Sequence, residues 1–169
     1  SGKVLWSRLL RDVYRLGRPL AINQSPPMPT PYGLLVSDWQ RPQFLLDYRT
    51  GGLLAQLDGN IGYYAAFATV FDDVMYTACR GGAIALKIPG GEVVWQAEET
   101  SRSTSAGIVV DGKFLYATQG GVKAVDRVTG RQLWHAGVAN NGYQKPIPLV
   151  WDSLVLMNGT RPTAVDLST

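Results

Sequence analysis

Cysteine and histidine are almost missing from this 169-residue chain, which has one of each, Cys79 and His135. A single cysteine excludes an internal disulfide and a CxxC metal site. A single histidine gives a transition-metal cluster little support, and one placed directly after Trp134 at a rim gives a Ser-His-Asp triad little support. No metal site is expected, and His135, directly after Trp134, reads as a rim residue. Cys79, in Tyr76-Thr77-Ala78-Cys79, reads as a buried, inert thiol at a strand end. Charged residues make up only 17%. Asp72-Asp73 and Glu98-Glu99 are adjacent pairs, and neighbours on a strand point to opposite faces, so they do not converge on one proton. No stretch approaches the about 18 consecutive apolar residues of a spanning helix. The sequence therefore predicts no transmembrane segment, and no signal peptide is legible in it. Phosphate-cradling loops are missing as well: Asp58-Gly59-Asn60-Ile61-Gly62 and Gln119-Gly120-Gly121 read as strand connections, with no helix opening or Lys-Ser/Thr pair after them.

What is present suits an all-β chain. It is 46% hydrophobic, with 19 Gly and 10 Pro for tight turns. The strongest signal is a repeat. Ala124-Val125-Asp126-Arg127-Val128-Thr129-Gly130-Arg131-Gln132-Leu133-Trp134 has weaker copies beginning at Leu45, Ala85 and Ala164, a period of about 40 residues. The copy at Ala85 keeps the Ala, the Gly (Gly91) and the Trp (Trp95) but loses the Asp and Thr. The copy at Leu45 ends in Ala55 where a Trp is due. The copy at Ala164 runs to Ser168-Thr169, and Gly2-Lys3-Val4-Leu5-Trp6 carries the Gly and Trp that would follow. An x-x-Thr-Gly corner after an apolar strand is a hairpin turn whose Gly is free to take positive φ. Another turn and strand precede each motif, at Gly33, Asp72-Asp73, Asp111-Gly112 and Asp152-Ser153. An apolar or Pro-rich run comes before each of those.

The pattern A-x-D-x-x-T-G-x-x-x-W resembles the tryptophan-docking motif of the quinoprotein-like (pyrroloquinoline quinone-type) β-propeller repeat family, which has many quinone-free members. The resemblance covers essentially the whole chain. It implies a β-propeller of four-stranded antiparallel blades, four repeats in this chain, as a closed four-bladed ring, half of an eight-bladed ring made with a second copy, or a piece of a longer propeller. One propeller domain over 1–169 is expected, with blades at about 7–55, 56–95, 96–134 and 135–169, the last completed by strand 2–6. Trp6, Trp95 and Trp134 are the expected structural docking residues, each packing on a neighbouring blade.

In the family, dehydrogenase activity needs a Ca²⁺ site, an Asp base and often adjacent cysteines over the quinone. This chain has one cysteine, so no catalytic residue and no cofactor is assigned, and it reads as not an enzyme. By the repeat register, Gln24, Tyr63, Tyr64, Arg102, Ser103, Tyr143, Gln144 and Lys145 enter the innermost strands and ring one channel mouth as a candidate binding site. The net charge is +3, and its excess lies in the first 49 residues. There Arg8, Arg11, Arg15 and Arg18 occupy a segment longer than its counterparts, a candidate partner contact. Four arginines without interleaved aromatics do not make a nucleic-acid surface. The expectation is a non-catalytic scaffold or structural module for protein–protein interaction, with a protein partner or a second copy of itself. The alternatives are a fragment of a quinoprotein dehydrogenase and a small-ligand or glycan-binding propeller. The resemblance implies a periplasmic or extracellular setting.

Overall fold

The computed structural model describes residues 2–7, 27–37, 43–57, 68–102, 107–138, 147–158 and 161–168, and among these there are strands and turns but no helix. The first sheet is a meander, β1 (Met28–Thr30), β2 (Gly33–Ser37), β3 (Gln43–Leu46) and β4 (Leu53–Leu57), hydrogen-bonded in chain order. The second holds β5 (Ala68–Phe71), β6 (Val74–Lys87) and β7 (Val93–Arg102). The third is again four-stranded: β8 (Ile108–Val110), β9 (Lys113–Thr118), β10 (Gly121–Asp126) and β11 (Gln132–Gly137). The fourth has three strands, β12 (Leu149–Trp151), β13 (Leu154–Met157) and β14 (Thr163–Asp166). All pairings are antiparallel.

β6 is one continuous run of 14 residues, yet its ends touch. Ile88 N–H donates to Asp73 O at 2.9 Å, whereas a straight strand of that length would separate them by roughly 45 Å. The run must fold back on itself, and Gly81 and Gly82, at φ 107° and 144°, provide the bend. The same closure recurs where Arg127 N–H reaches Gly112 O at 2.9 Å and Leu167 N–H reaches Ser153 O at 2.7 Å. The second sheet is therefore also a four-layered blade. Only the fourth lacks an outer strand among the described residues.

Each blade buries one face against the next. Leu35 and Leu57 of the first blade meet Met75, Ile84, Leu86 and Ile88 of the second. Tyr76, Ala85 and Trp95 of the second meet Phe114, Tyr116 and Val125 of the third. Leu115, Val122 and Ala124 of the third meet Val155, Met157 and Leu167 of the fourth. Period-two alternation produces this stacking, because both faces of a middle strand are covered: Phe114 and Tyr116 point one way, Leu115 and Ala117 the other. Inner strands turn into their neighbours through two-residue loops with Asp72, Asp111 and Asp152 at φ 52°, 46° and 55°, a conformation that Asp tolerates better than most residues. Cys79 is buried on β6 just before its bend.

Candidate functional site

The repeated corner is built around its aspartate. Asp126 Oδ1 accepts from Val128 N–H (3.0 Å), Thr129 N–H (2.8 Å) and Thr129 Oγ1 (2.9 Å). Asp47 Oδ1 does the same with Arg49 N–H (3.0 Å), Thr50 N–H (2.7 Å) and Thr50 Oγ1 (2.8 Å). In the fourth blade Asp166 receives Ser168 N–H at 2.8 Å and the Ser168 hydroxyl. These donors favour the ionised carboxyl and hold all three aspartates below their ordinary range. The lead comes from the Thr129 N–H for Asp126, the Thr50 hydroxyl for Asp47 and the Ser168 hydroxyl for Asp166. The second blade has Lys87 in this place and keeps the backbone bonds that the first and third corners also make, Lys87 N–H to Glu92 O (2.9 Å) and Gly91 N–H to Lys87 O (2.8 Å).

A tryptophan lies on each of the two corners that keep Asp, Thr and Gly, Trp95 of β7 on the third blade's and Trp6, which is on no strand, on the first blade's. Trp95 Nε1 donates to Arg127 O, and Trp6 Nε1 to Tyr48 O, both at 2.8 Å. The rings cover Gly130 and Gly51, where a Cβ would stand 2.6 Å from the nearest indole carbon. The corner glycine is thus required twice, by its positive φ (73° and 65°) and by the ring on top of it. Where Ala55 replaces the Trp, Leu57 takes over the contact, at 3.5 Å from a Cβ placed on Gly91. Trp134 is the exception: it packs toward the fourth blade, but its buried Nε1 has no hydrogen-bond partner.

Polar contacts also join the blades. Arg127 Nη1 sits 3.2 Å from Asp72 Oδ2, and its guanidinium lies 4.7 Å from the Phe71 ring centroid. Tyr32 OH donates to Asp73 Oδ1 at 2.8 Å, a bond to a carboxylate that raises the phenol above its usual range. Thr69 Oγ1 donates to Gly107 O.

The two ends of the array differ from its interior. At one end Leu34, Val36, Phe44 and Leu46 of the first blade pack with Trp6. At the other, β12 and β13 present Leu149, Trp151, Leu154 and Leu156 on the side opposite the Val150 and Val155 that face the third blade. Leu149 is 62% exposed and Trp151 69%. Residues 2–7 form no strand, and β14 has no outer neighbour among the described residues.

Of the sequence-predicted binding residues, Gln24, Tyr63, Tyr64, Ser103, Tyr143, Gln144 and Lys145 lie outside the described residues, as do Arg8, Arg11, Arg15 and Arg18. Arg102 is the last residue of β7, its backbone opposite Arg80. The docking residues Trp6, Trp95 and Trp134 are all described. His135 is exposed on β11, opposite Lys123. Among the described residues no three His, Cys, Asp or Glu side chains come together, and the cysteine is buried in β6. Sequence reasoning missed the free face around Trp151.

Comparison with known proteins agrees with this architecture. The structure of BamB from Moraxella catarrhalis superposes with TM-score 0.68 at 21% identity, over 88% of this chain and 49% of that one. The computationally designed Ika4 protein superposes with TM-score 0.70 at 16% identity, over 99% of each chain. A quinohemoprotein alcohol dehydrogenase, ADHIIG from Pseudomonas putida HK5, superposes with TM-score 0.67 at 16% identity, over 89% of this chain and 33% of its own. The chain thus spans about half the length of the BamB it resembles, and these likenesses show a shared propeller fold. The search of curated proteins found no match. Residues 45–169 match the PQQ_2 family, described as outer membrane protein assembly factor BamB, and the chain belongs to that family of pyrroloquinoline quinone-type β-propeller repeats.

Proposed function

We propose that the chain is a non-catalytic propeller module that works by binding protein. The observation that carries this reading is its membership of the family described as an outer membrane protein assembly factor. The geometry agrees with it, since the repeated Asp, Thr, Gly and Trp are all engaged in building and joining blades. The partner would meet the channel mouth, through Tyr63, Tyr64, Arg102, Tyr143, Gln144 and Lys145, and the arginine-bearing segment around Arg8–Arg18. Convergent aromatic and cationic side chains on a rigid rim suit a protein partner, because they give contact area at little cost in conformational entropy. The family description also supports a setting at the cell envelope.

Photo-crosslinkers at positions 64 and 143, with one at Val128 on an outer corner as control, test this in an envelope fraction. The reading predicts that one protein crosslinks from both mouth positions and not from Val128, and that Tyr64→Ala and Lys145→Ala weaken its binding. The likeness to quinohemoprotein alcohol dehydrogenases motivates a second reading, a dehydrogenase fragment. Saturable binding of pyrroloquinoline quinone with Ca²⁺, accompanied by dye-linked alcohol oxidation, would replace the first reading with the second.

A further inference from the structure

We propose that the second blade carries a paired cationic site, Arg80 opposite Arg102, that takes the carboxylates of an acidic segment of a partner protein. The inference rests on the protein-binding reading above and names the chemistry of the partner's side of the contact. Three observations lead to it.

The first is a length of sheet that the other blades do not have. In the third blade the pairing of β10 with β11 runs from Ala124 opposite Trp134 and ends at Gly121 opposite Gly137. In the second blade the equivalent run, from Ala85 opposite Trp95, reaches Gly82 opposite Glu98, and the ladder then goes on to Arg80 opposite Arg102. The outer strand β7 accordingly has 10 residues, against 6 in β11 and 5 in β4. The shared blade plan accounts for the ladder as far as Gly82. What lies past that step belongs to this blade alone among the described residues.

The second is the way the extension is built. The register shifts between Arg80 and Gly82, so Gly81 alone faces residues 99–101 of β7. A bulge of this kind interrupts the ladder and re-aims what lies beyond it. Gly81 stands at φ 107°, and a Cβ built on it meets nothing within 4 Å. The bulge therefore leaves open space next to the arginine pair.

The third is charge. Residues directly opposite on antiparallel strands hold their Cβ atoms about 4.5 to 5.5 Å apart, and like charges placed so destabilise the sheet. Guanidinium groups keep their charge at every ordinary pH. Glu98 is exposed, lies opposite Gly82 and has no ion pair among the described residues. An arrangement that costs stability when empty and gains it when an anion arrives is a binding device. A carboxylate meets a guanidinium in a two-pronged, charge-assisted fork, so one such group between two arginines replaces repulsion with two attractive contacts. By the repeat register this is also the end of the blade that carries the expected channel mouth, with Arg102 among its residues. A partner bound there brings its acidic side chains to the pair.

Thermal unfolding of the intact chain at fixed ionic strength, followed by circular dichroism, tests this with three probes: a blocked hexaglutamate peptide, a blocked hexaglutamine peptide and inorganic phosphate. The midpoint should rise with hexaglutamate and not with hexaglutamine. Arg80→Gln and Arg102→Gln should each raise the peptide-free midpoint by roughly 1 to 3 °C, since removing one of two like charges relieves the pair. Each should also abolish most of the response to hexaglutamate, while Arg131→Gln, at the corner of the third blade, should keep it. No response of the intact chain to hexaglutamate would overturn the proposal. A midpoint lowered in either variant would overturn it as well, because an acid of this chain, Glu99 foremost, would then already neutralise the pair. So would a response to phosphate as large as that to hexaglutamate at equal charge, which would mean a site for small anions. The crosslinks at positions 64 and 143 report on the mouth separately. A mouth partner found without a hexaglutamate response sinks this inference alone, and a hexaglutamate response without a mouth partner sinks the mouth reading alone.

Discussion

Replacing Gly130 by alanine tests the docked tryptophan most directly, because Gly112 provides a control with the same backbone. Their φ values are 73° and 72°. A Cβ at Gly112 meets nothing within 4 Å, whereas one at Gly130 comes within 2.6 to 2.9 Å of three Trp95 ring carbons. Gly112→Ala therefore carries only the left-handed backbone cost, about 1 to 2 kcal/mol. Gly130→Ala carries that cost and must also lift the ring. Lifting it breaks the Trp95 Nε1 bond to Arg127 O, and a buried donor left unpaired costs about 1 to 3 kcal/mol. Re-exposing a quarter of an indole adds roughly 1 kcal/mol at about 25 cal/mol/Å². The sum is about 3 to 6 kcal/mol, a large part of the roughly 5 to 15 kcal/mol that holds an ordinary domain together. Urea unfolding at one protein concentration, followed by circular dichroism and tryptophan fluorescence, reads the difference. With a slope of about 2 kcal/mol/M, the Gly130→Ala midpoint should fall about 1 to 2 M below that of Gly112→Ala. Equal midpoints would refute the claim that the indole occupies the corner and stabilises the junction.

Asp126→Asn keeps an acceptor for the Thr129 and Val128 N–H groups but removes the charge, so it should lower the urea midpoint slightly at pH 7. The native carboxyl is held below its usual range, so its contribution is fully present above the unfolded value near pH 4. That contribution disappears as pH falls through the lower native value, and an acid titration of stability below about pH 4 should be shallower for the variant. Ala55→Trp, which restores the motif residue, should destabilise by roughly 1 to 3 kcal/mol because Leu57 already fills the corner at Gly91; adding Leu57→Ala should recover much of the loss in the same unfolding assay. Arg127→Met should shift the midpoint little, since its ion pair with Asp72 is at the surface and exposed pairs contribute little.

The blade plan was legible because each strand junction has a local chemical cause. Asp111-Gly112 and Asp126-x-x-Thr129-Gly130 specify their turns within a few residues, and the alternation of Phe114 to Ala117 names both faces of a middle strand. Other features depended on geometry that no local pattern encodes. The bend in β6 is carried by Gly81-Gly82, whose signal is no stronger than that of other glycine pairs in the chain. The substitution of Leu57 for a docking indole is visible only once the blades are packed. The role of the motif aspartate was also missed, because its partners are backbone N–H groups that the sequence does not mark.

The same separation decides where function can reside. Residues that recur from blade to blade do so because the blades face the same packing problem: a corner to be capped, in three blades by Asp, and a glycine to lie beneath a neighbour's side chain. What recurs cannot distinguish one partner from another. If the module binds protein as proposed, recognition would come from positions where the repeats differ, and those fall into two groups. One is the set that the repeat register alone assigns to the channel mouth, Gln24, Tyr63, Tyr64, Ser103, Tyr143, Gln144 and Lys145, which lies outside the described residues. The other is the pair of ends, where Trp6 lies on a corner, Trp134 has an unpaired N–H, and Trp151 stands in solvent. The interior of the array is satisfied; its ends are not. A module built this way uses its repeats for rigidity, and on the proposed reading partner choice would fall to the positions that the repeats do not share.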